Sequence, residues 1–346
     1  MGTATNTLRL DIRSVSISDA SYESELLQCH KLRREVFVEE QGVSEDEEWD
    51  NLDSVARHFT ARIVAADSSY QTISSSTDQP ETASRTDIAA CARARDISDG
   101  KERQIKIERM AVGASHRGQA IGSRLLQNIL LHYLGVSDKI SLSAQTQAIP
   151  FYEKLGFEVN SEEFIDAGIT HRKMLFKANN DSYFRVFPSG RWPFNSERQT
   201  SNHSKLLTYL TRRDIRIQWA DKPWIFKDPA WLDLLSHFIR AHPRASCRIL
   251  LGYPNDLKSH YPRFARLLNQ FPSKLKIKAL NDDAERVADS YSTGDQKHML
   301  EIIDAQMLAG VLSVDRPASV VDALDCFERN WQHHSEEILE LRTLYL

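Results

Sequence analysis

The segment from Glu108 to Leu126 constrains the fold of this chain more than any other. Ile105, Ile107, Met110 and Val112 supply strand-forming apolar residues around an acidic interruption. Leu125, Leu126, Ile129, Leu130 and Tyr133 then recur at helical spacing. Between them runs a glycine-punctuated turn, from Arg117 through Gly118, Gln119, Ala120 and Ile121 to Gly122. A strand that enters a helix through such a turn aims unpaired backbone N–H groups at one point, at the positive end of the helix dipole. That geometry suits a diphosphate. Taken alone, a turn of this kind is also an ordinary strand–helix connection, so its surroundings have to decide.

Downstream, Ile140 to Gln145 alternates as a strand, and Ala148 to Phe157 carries Phe151, Tyr152, Gly156 and Phe157. The two blocks resemble motifs A and B of the GNAT acyltransferases: arginine or glutamine, two residues, then glycine-x-glycine or alanine, followed later by Phe-Tyr-x-x-x-Gly-Phe. Leu32 to Gly42, Glu48 to Asp53, Ala56 to Phe59 and the ending Glu163 to Met174 narrow this to an ElaA-like subgroup. The resemblance spans residues 8 to 177, about half the chain.

The resemblance implies a mixed central sheet flanked by helices. It also implies an N-acetyltransferase that moves an acetyl group from acetyl-CoA to an amine by direct attack in a ternary complex. Main-chain groups from Arg117 to Gly122, with Ser123, would hold the diphosphate. Met110, Ala111 and Val112 would pair with the pantetheine arm. Glu108 would be the general base, or else one side of a structural salt bridge. Tyr152 would protonate the leaving thiolate, or else pack on the pantetheine. Arg33, Glu35, Asp50, Asp53, His58, Gln145 and His171 fall where the family borders its acceptor cleft. A carboxylate-lined cleft there would suit a cationic amine. Should Glu108 prove structural, the proton would pass to water or to His171. The acceptor stays open among polyamine-like amines, aminosugars, peptide termini and protein lysines.

Two other readings remain. Arg33 and Phe37, then Glu48, Asp50 and Asp53, also resemble the acyl-homoserine-lactone synthases, which draw largely on acyl carrier protein. The diphosphate turn favours coenzyme A over that donor. In the other reading, acyl-CoA is a ligand for a protein whose second half recruits a macromolecule.

Composition sets the outer bounds. A chain of 346 residues holds two domains at about 150 residues each. With 41% hydrophobic and 27% charged residues it can build real cores. A net charge of −4 gives no overall basic field for nucleic acid. Cys29, Cys91, Cys247 and Cys326 form no Cys-x-x-Cys pair, so neither a zinc site nor a disulfide frame is expected. No apolar run approaches a membrane span of about 20 residues, and the first ten residues lack a signal-like apolar region. A cytoplasmic protein without a metal is expected.

The pattern changes near residue 178, which sets the expected domains at 1–178 and 183–346. Within the first, residues 67–87 carry ten Ser or Thr in twenty-one positions and predict a flexible hairpin loop. The second alternates helices (204–213, 231–242, 261–269, 320–331) with strands (215–220, 248–252, 275–280), an α/β pattern with a mostly parallel sheet expected. It is distantly similar to phospholipase D-like domains through Lys227 to Trp231, the Arg248 strand and Phe327 to Trp331. That family's His-x-Lys-x-x-x-x-Asp is missing: His203 has Leu210 at the Asp position, and His298 has Leu300 where Lys belongs. An accessory, non-catalytic role follows. Arg212, Arg213, Arg216, Arg240, Arg244, Arg248, Arg263 and Arg266, with Trp219, Trp224 and Trp231, form either an anion or nucleic-acid surface or scattered helix-end cations and core tryptophans.

Overall fold

The computed structural model describes residues 9–64, 87–195, 197–220, 223–285, 290–306 and 308–338. The serine- and threonine-rich loop expected at 67–87 lies outside them except for Asp87. The chain divides into two compact units, Met1–Leu130 with Ser137–Ala178, and Leu131–Val136 with Asn179–Leu346.

The first unit is built on an eight-stranded sheet. Its strands are β1 Arg9–Val15, β2 Arg57–Val64, β3 Ala90–Asp96, β4 Gln104–Val112, β5 Lys139–Gln145, β6 Glu158–Val159, β7 Phe164–Asp166 and β8 Ile169–Lys177. They lie in the order β1-β2-β3-β4-β5-β8-β6, with β7 also on β8. The period-2 pattern of β5 explains its place: Ile140, Leu142 and Ala144 are buried, while Lys139, Ser141 and Ser143 are partly exposed. The helices are α1 Tyr22–Arg33, the short α2 Glu45–Glu48, α3 Ile121–His132 and α4 Ile149–Lys154. The apolar stripe of α3 at Leu125, Leu126, Ile129 and Leu130 is fully buried.

Two local departures from regularity shape this unit. The α-helix that starts at Tyr22 ends at Arg33, and a π-helical segment runs from Arg34 to Glu40. π-Turns of this kind are rare and gather at functional sites. The second is on β4, where Arg109 adopts φ +51° and the pairing with β3 slips between Cys91 and Arg93. This is a β-bulge, which bends its strand. β4 pairs with β5 in parallel only from Gln104 to Ile107.

The second unit holds another eight-stranded sheet: β9 Gly190–Asn195, β10 Asp214–Trp219, β11 Ser246–Leu251, β12 Leu275–Leu280, β13 Ser290–Gly294, β14 His298–Asp304, β15 Ala309–Val314 and β16 Ser335–Glu337. The order is β16-β12-β11-β10-β13-β14-β15-β9. Only β10, β11 and β12 are mutually parallel; the remaining pairings are antiparallel. The sheet is therefore mixed rather than mostly parallel. The sequence reading placed no strand on β13, β14 or β15; for β13 the reason is that Ser290–Gly294 is polar yet fully buried, without the Val, Ile and Leu run that marks a central strand. The helices are α5 Asn180–Val186, α6 Glu197–Leu210, α7 Pro229–Ala241, α8 Leu257–His260, α9 Pro262–Gln270 and α10 Val321–His333. α6 starts seven residues before the expected Ser204. Its first half buries Gln199, Thr200, Asn202 and His203, so no apolar period announced it.

Four of this unit's arginines, Arg216, Arg240, Arg248 and Arg263, have local partners. Arg216 and Arg248 both bind Glu328 of α10, at 2.9 and 2.8 Å. Arg240 lies over the Phe271 ring and Arg263 pairs with Asp233. Trp219 and Trp231 are core residues.

Candidate active site

The bulge at Arg109 makes the site. Past Ile107, β4 and β5 no longer pair, and a cavity of about 690 Å³ opens where they part. Met110, Ala111 and Val112 line it from β4, Gln145 from the end of β5, and Tyr152 from α4. His171 lines it from β8, opposite Gln145 in register. Gly118, Ala120, Ile121, Gly122 and Ser123 close one end, together with the Arg117 side chain.

The turn at that end has the backbone the sequence pattern implied. Gly118 and Ala120 take φ +74° and +58°, and Gly118 has open space where a Cβ would stand. The α3 hydrogen bonds recorded at its entry begin with Arg124 N–H to the Ala120 carbonyl, and the N–H groups before it lie in the turn that caps a helix. Gly122 serves a different purpose. A Cβ there would stand 3.2 Å from Val112 Cγ2 and 3.6 Å from the Phe151 ring. Its absence lets α3 settle on β4. The Arg117 guanidinium is held by both oxygens of Glu40 at 2.6 Å, and its Nε donates to the Val112 carbonyl. Gln119 lies outside the lining and donates to the Ser115 carbonyl.

Glu108 also lines the cavity, but cations hold it. Arg95 donates to both its oxygens at 2.6 and 2.9 Å, Arg93 to one at 3.2 Å, and Lys106 sits at 2.8 Å. Burial alone would raise its carboxyl, yet the bonds from Arg95 and Lys106 and the nearby charges outweigh it and bring it down to about 2. Tyr152 is the opposite case: burial pushes its phenol up to about 12. Its hydroxyl faces the Met110 sulfur at 3.8 Å. His171 donates from Nδ1 to the Ile169 carbonyl at 2.8 Å, so in the neutral ring the lone pair is on Nε2.

Arg33, Asp50, Asp53 and His58 come together elsewhere, in a buried ion network beneath the cleft and not on its wall. Arg33, 1% exposed, bridges Glu48 and Asp53. Arg93, equally buried, holds Asp50 and Asp53. Burial would raise the Asp53 carboxyl, but the His30 hydrogen bond and the Arg33 and Arg93 guanidiniums hold it far below its ordinary range. His58 donates to the Asp53 carbonyl. Glu35 is exposed on the π-segment and outside the lining. A carboxylate-lined cleft therefore does not arise from these residues: their charges are met by arginines. Sequence reading missed Arg93, Arg95 and Lys106. The signal was available, since Arg93 and Arg95 share one face of β3 and Lys106 and Glu108 one face of β4.

Among the described residues no group of three or more His, Cys, Asp or Glu is placed to hold a metal, and no helix is long and apolar enough to cross a membrane. The four cysteines are free and buried.

A bulged strand, a parting parallel pair and a helix-capping glycine turn around one cavity define a coenzyme A-dependent acyltransferase fold. Comparison with known proteins agrees. Residues 38–178 match the family model described as an acetyltransferase (GNAT) domain. An uncharacterized N-acetyltransferase of Bacillus subtilis, YjcF, is 34% identical over 158 residues, 45% of this chain and 95% of that protein. A second Bacillus subtilis protein, YyaT, is 28% identical over 45% of this chain and 92% of its own length. The solved structure of Escherichia coli ElaA is 24% identical, covers 49% of this chain and all of its own, and has a TM-score of 0.38. In its N-terminal half, this chain belongs to the GNAT acetyltransferase family. Residues 196–344 match a domain of unknown function, DUF7931. That match names no activity and does not bear on the resemblance to phospholipase D-like domains.

Proposed function

We propose that the first unit transfers an acetyl group from acetyl-CoA to an amine by direct attack within a ternary complex. The observation that carries this reading is the shared cavity: the glycine turn, the free edge of β4, Tyr152 and His171 all line one space of about 690 Å³. The diphosphate lies on the turn at Gly118–Ser123. The pantetheine follows Met110 to Val112, whose N–H groups on the β5 side polarise the thioester oxygen.

The amine loses its proton to His171 Nε2. A carboxyl at about 2 binds a proton too weakly to serve as that base at neutral pH, so Glu108 anchors Arg93, Arg95 and Lys106 instead. Tyr152 stays protonated at neutral pH and hydrogen-bonds the departing thiolate. With its phenol near 12 and a free thiol near ~8.5, full proton transfer is uphill, so its contribution is mainly the hydrogen bond. Initial-rate kinetics over a panel of polyamines, aminosugars, peptide termini and lysine peptides tests the proposal. Intersecting double-reciprocal lines are expected for the amine that turns over. Parallel lines would point to an acetyl-enzyme, and coenzyme binding with no turnover on any amine would overturn the transferase reading.

A further inference from the structure

The β7–β8 hairpin ends at the cavity. Asp166, the last residue of β7, lines it, and so do Ala167 and Ile169 on the way into β8. Ala167 and Gly168 turn the chain with φ +49° and +72°. Positive φ at both turn residues matches the twist of paired strands, so the register of the tip is set. Asp166 lies opposite Ile169, and Phe164 opposite His171. Paired and alternate residues of such a ribbon share one face. The Phe164 and His171 rings are stacked accordingly, with centroids 6.0 Å apart.

The charged groups elsewhere on the lining are spent on neighbours. Glu48 is met by Arg33 and Arg109, Glu108 by Arg93, Arg95 and Lys106, and Arg117 by Glu40. Glu47 accepts from Ser44 Oγ at 2.8 Å. Asp166 differs: among the described residues, no hydrogen bond or ion pair takes its carboxylate. The hairpin thus sets three side chains in a row along one wall: the His171 imidazole, the apolar Ile169, and the Asp166 carboxylate beside Ile169. Ile169 stands two residues from His171, about 7 Å along a strand, a span that an alkyl chain of about four or five carbons bridges. An uncompensated carboxylate draws a cation and repels an acceptor that carries its own carboxylate at that end.

We infer that Asp166 selects the acceptor, and that the acceptor is a short unbranched diamine. One amine faces His171, the methylenes lie on Ile169, and the second nitrogen pairs with Asp166 as an ammonium. The inference rests on the acetyl-transfer reading for the fate of the first amine. In that step the amide C–N bond forms as the thioester C–S bond breaks, one amine proton passes to His171 Nε2, and coenzyme A leaves as the thiolate. The second ammonium is unchanged throughout.

The test separates binding from turnover. Calorimetric titration of the full chain saturated with coenzyme A compares putrescine, the four-carbon diamine, with butylamine. Putrescine is expected to bind about fivefold tighter or more, the upper reach of an exposed ion pair. Asp166→Asn keeps the shape of an exposed hairpin tip and should bring the two affinities within about twofold of each other. Equal affinities in the parent chain, no measurable putrescine binding, or a diamine preference that survives in Asp166→Asn would overturn the inference. Acetyl transfer is read apart, as thiol release from acetyl-CoA. A diamine preference in binding without thiol release would uphold the Asp166 site and remove the transferase reading, so the two can fail separately.

Discussion

In the N-terminal sheet the parallel pair β4–β5 holds for four residue pairs and then parts. In the C-terminal sheet β10–β11 holds for six, along the whole of both strands, and β11–β12 for five. The difference begins with one residue. Arg109 takes a left-handed φ and bends β4 away, so backbone groups that would have been ladder bonds face a cavity instead. The C-terminal sheet keeps its ladder, and its buried side chains without partners are scattered, from Asn202 and Ser204 on α6 to Thr293 on β13 and His298 on β14. A sheet can make a binding site by opening, with the main chain as ligand. It can also stay closed and spend its main-chain groups on the ladder. The first route tolerates varied side chains around fixed glycines. The second depends on each buried side chain.

That contrast can be broken by substitution. The largest effect is expected where the closed sheet is tightest. A Cβ on Gly310 would stand 1.9 Å from the Glu301 carbonyl oxygen on the neighbouring strand. Gly310→Val should destabilise the second unit by about 4 kcal/mol or more, read by urea unfolding. A milder loss would mean that β14 and β15 can part as β4 and β5 do.

Next comes the ion network under the open sheet. Arg93→Ala leaves Asp50, Asp53 and Glu108 short of a buried cation and should cost about 3–5 kcal/mol. A loss under about 1 kcal/mol would show that water reaches these carboxylates.

The roles of His171 and Glu108 separate by substitution. His171→Asn is expected to lower kcat/KM by about 10²-fold or more. Glu108→Gln should keep most of the rate. The Glu108 carboxyl lies near 2 in the folded chain against an ordinary 4.5, so its charge favours the folded state above the ordinary value. That contribution is lost as pH falls from 4.5 towards 2. Unfolding midpoints across this window should therefore slope less in Glu108→Gln than in the parent chain. A loss of kcat/KM in Glu108→Gln as large as that in His171→Asn would return the base to the carboxylate.

If the phenol acts on the leaving thiolate, as proposed, Tyr152→Phe should reduce kcat more than fivefold with KM for acetyl-CoA little changed. A raised KM with normal kcat would make it a packing residue. The smallest effect belongs to Gly118. Its φ of +74° costs a side chain about 1 kcal/mol, but a methyl group meets no neighbour. Gly118→Ala should fold normally and weaken coenzyme A only several-fold, measured by calorimetry. Loss of folding would mean that the turn is structural before it is a ligand site.

Local order was legible from the chain alone. The β4–turn–α3 run, the alternating β5 and the Phe151–Tyr152 block each announce themselves through period and glycine placement, because neighbours in sequence make those elements. What lay beyond reach depended on partners distant in sequence. Nothing between residues 22 and 40 marks the change from α to π. The alternation of β3 and β4 puts Arg93 and Arg95 on one face of β3 and Lys106 and Glu108 on one face of β4, but only the pairing of the two strands brings those cations onto the Glu108 carboxylate. The polar start of α6 and the serine-rich β13 carry no apolar period, since their burial is imposed by neighbours. Sequence by itself determined which segments could form the cradle for the coenzyme and where the chain changes character. Only the tertiary structure decided which charged groups are spent on one another and which remain free, because an ion pair is set by distance in space and a protonation state by everything within a few ångströms.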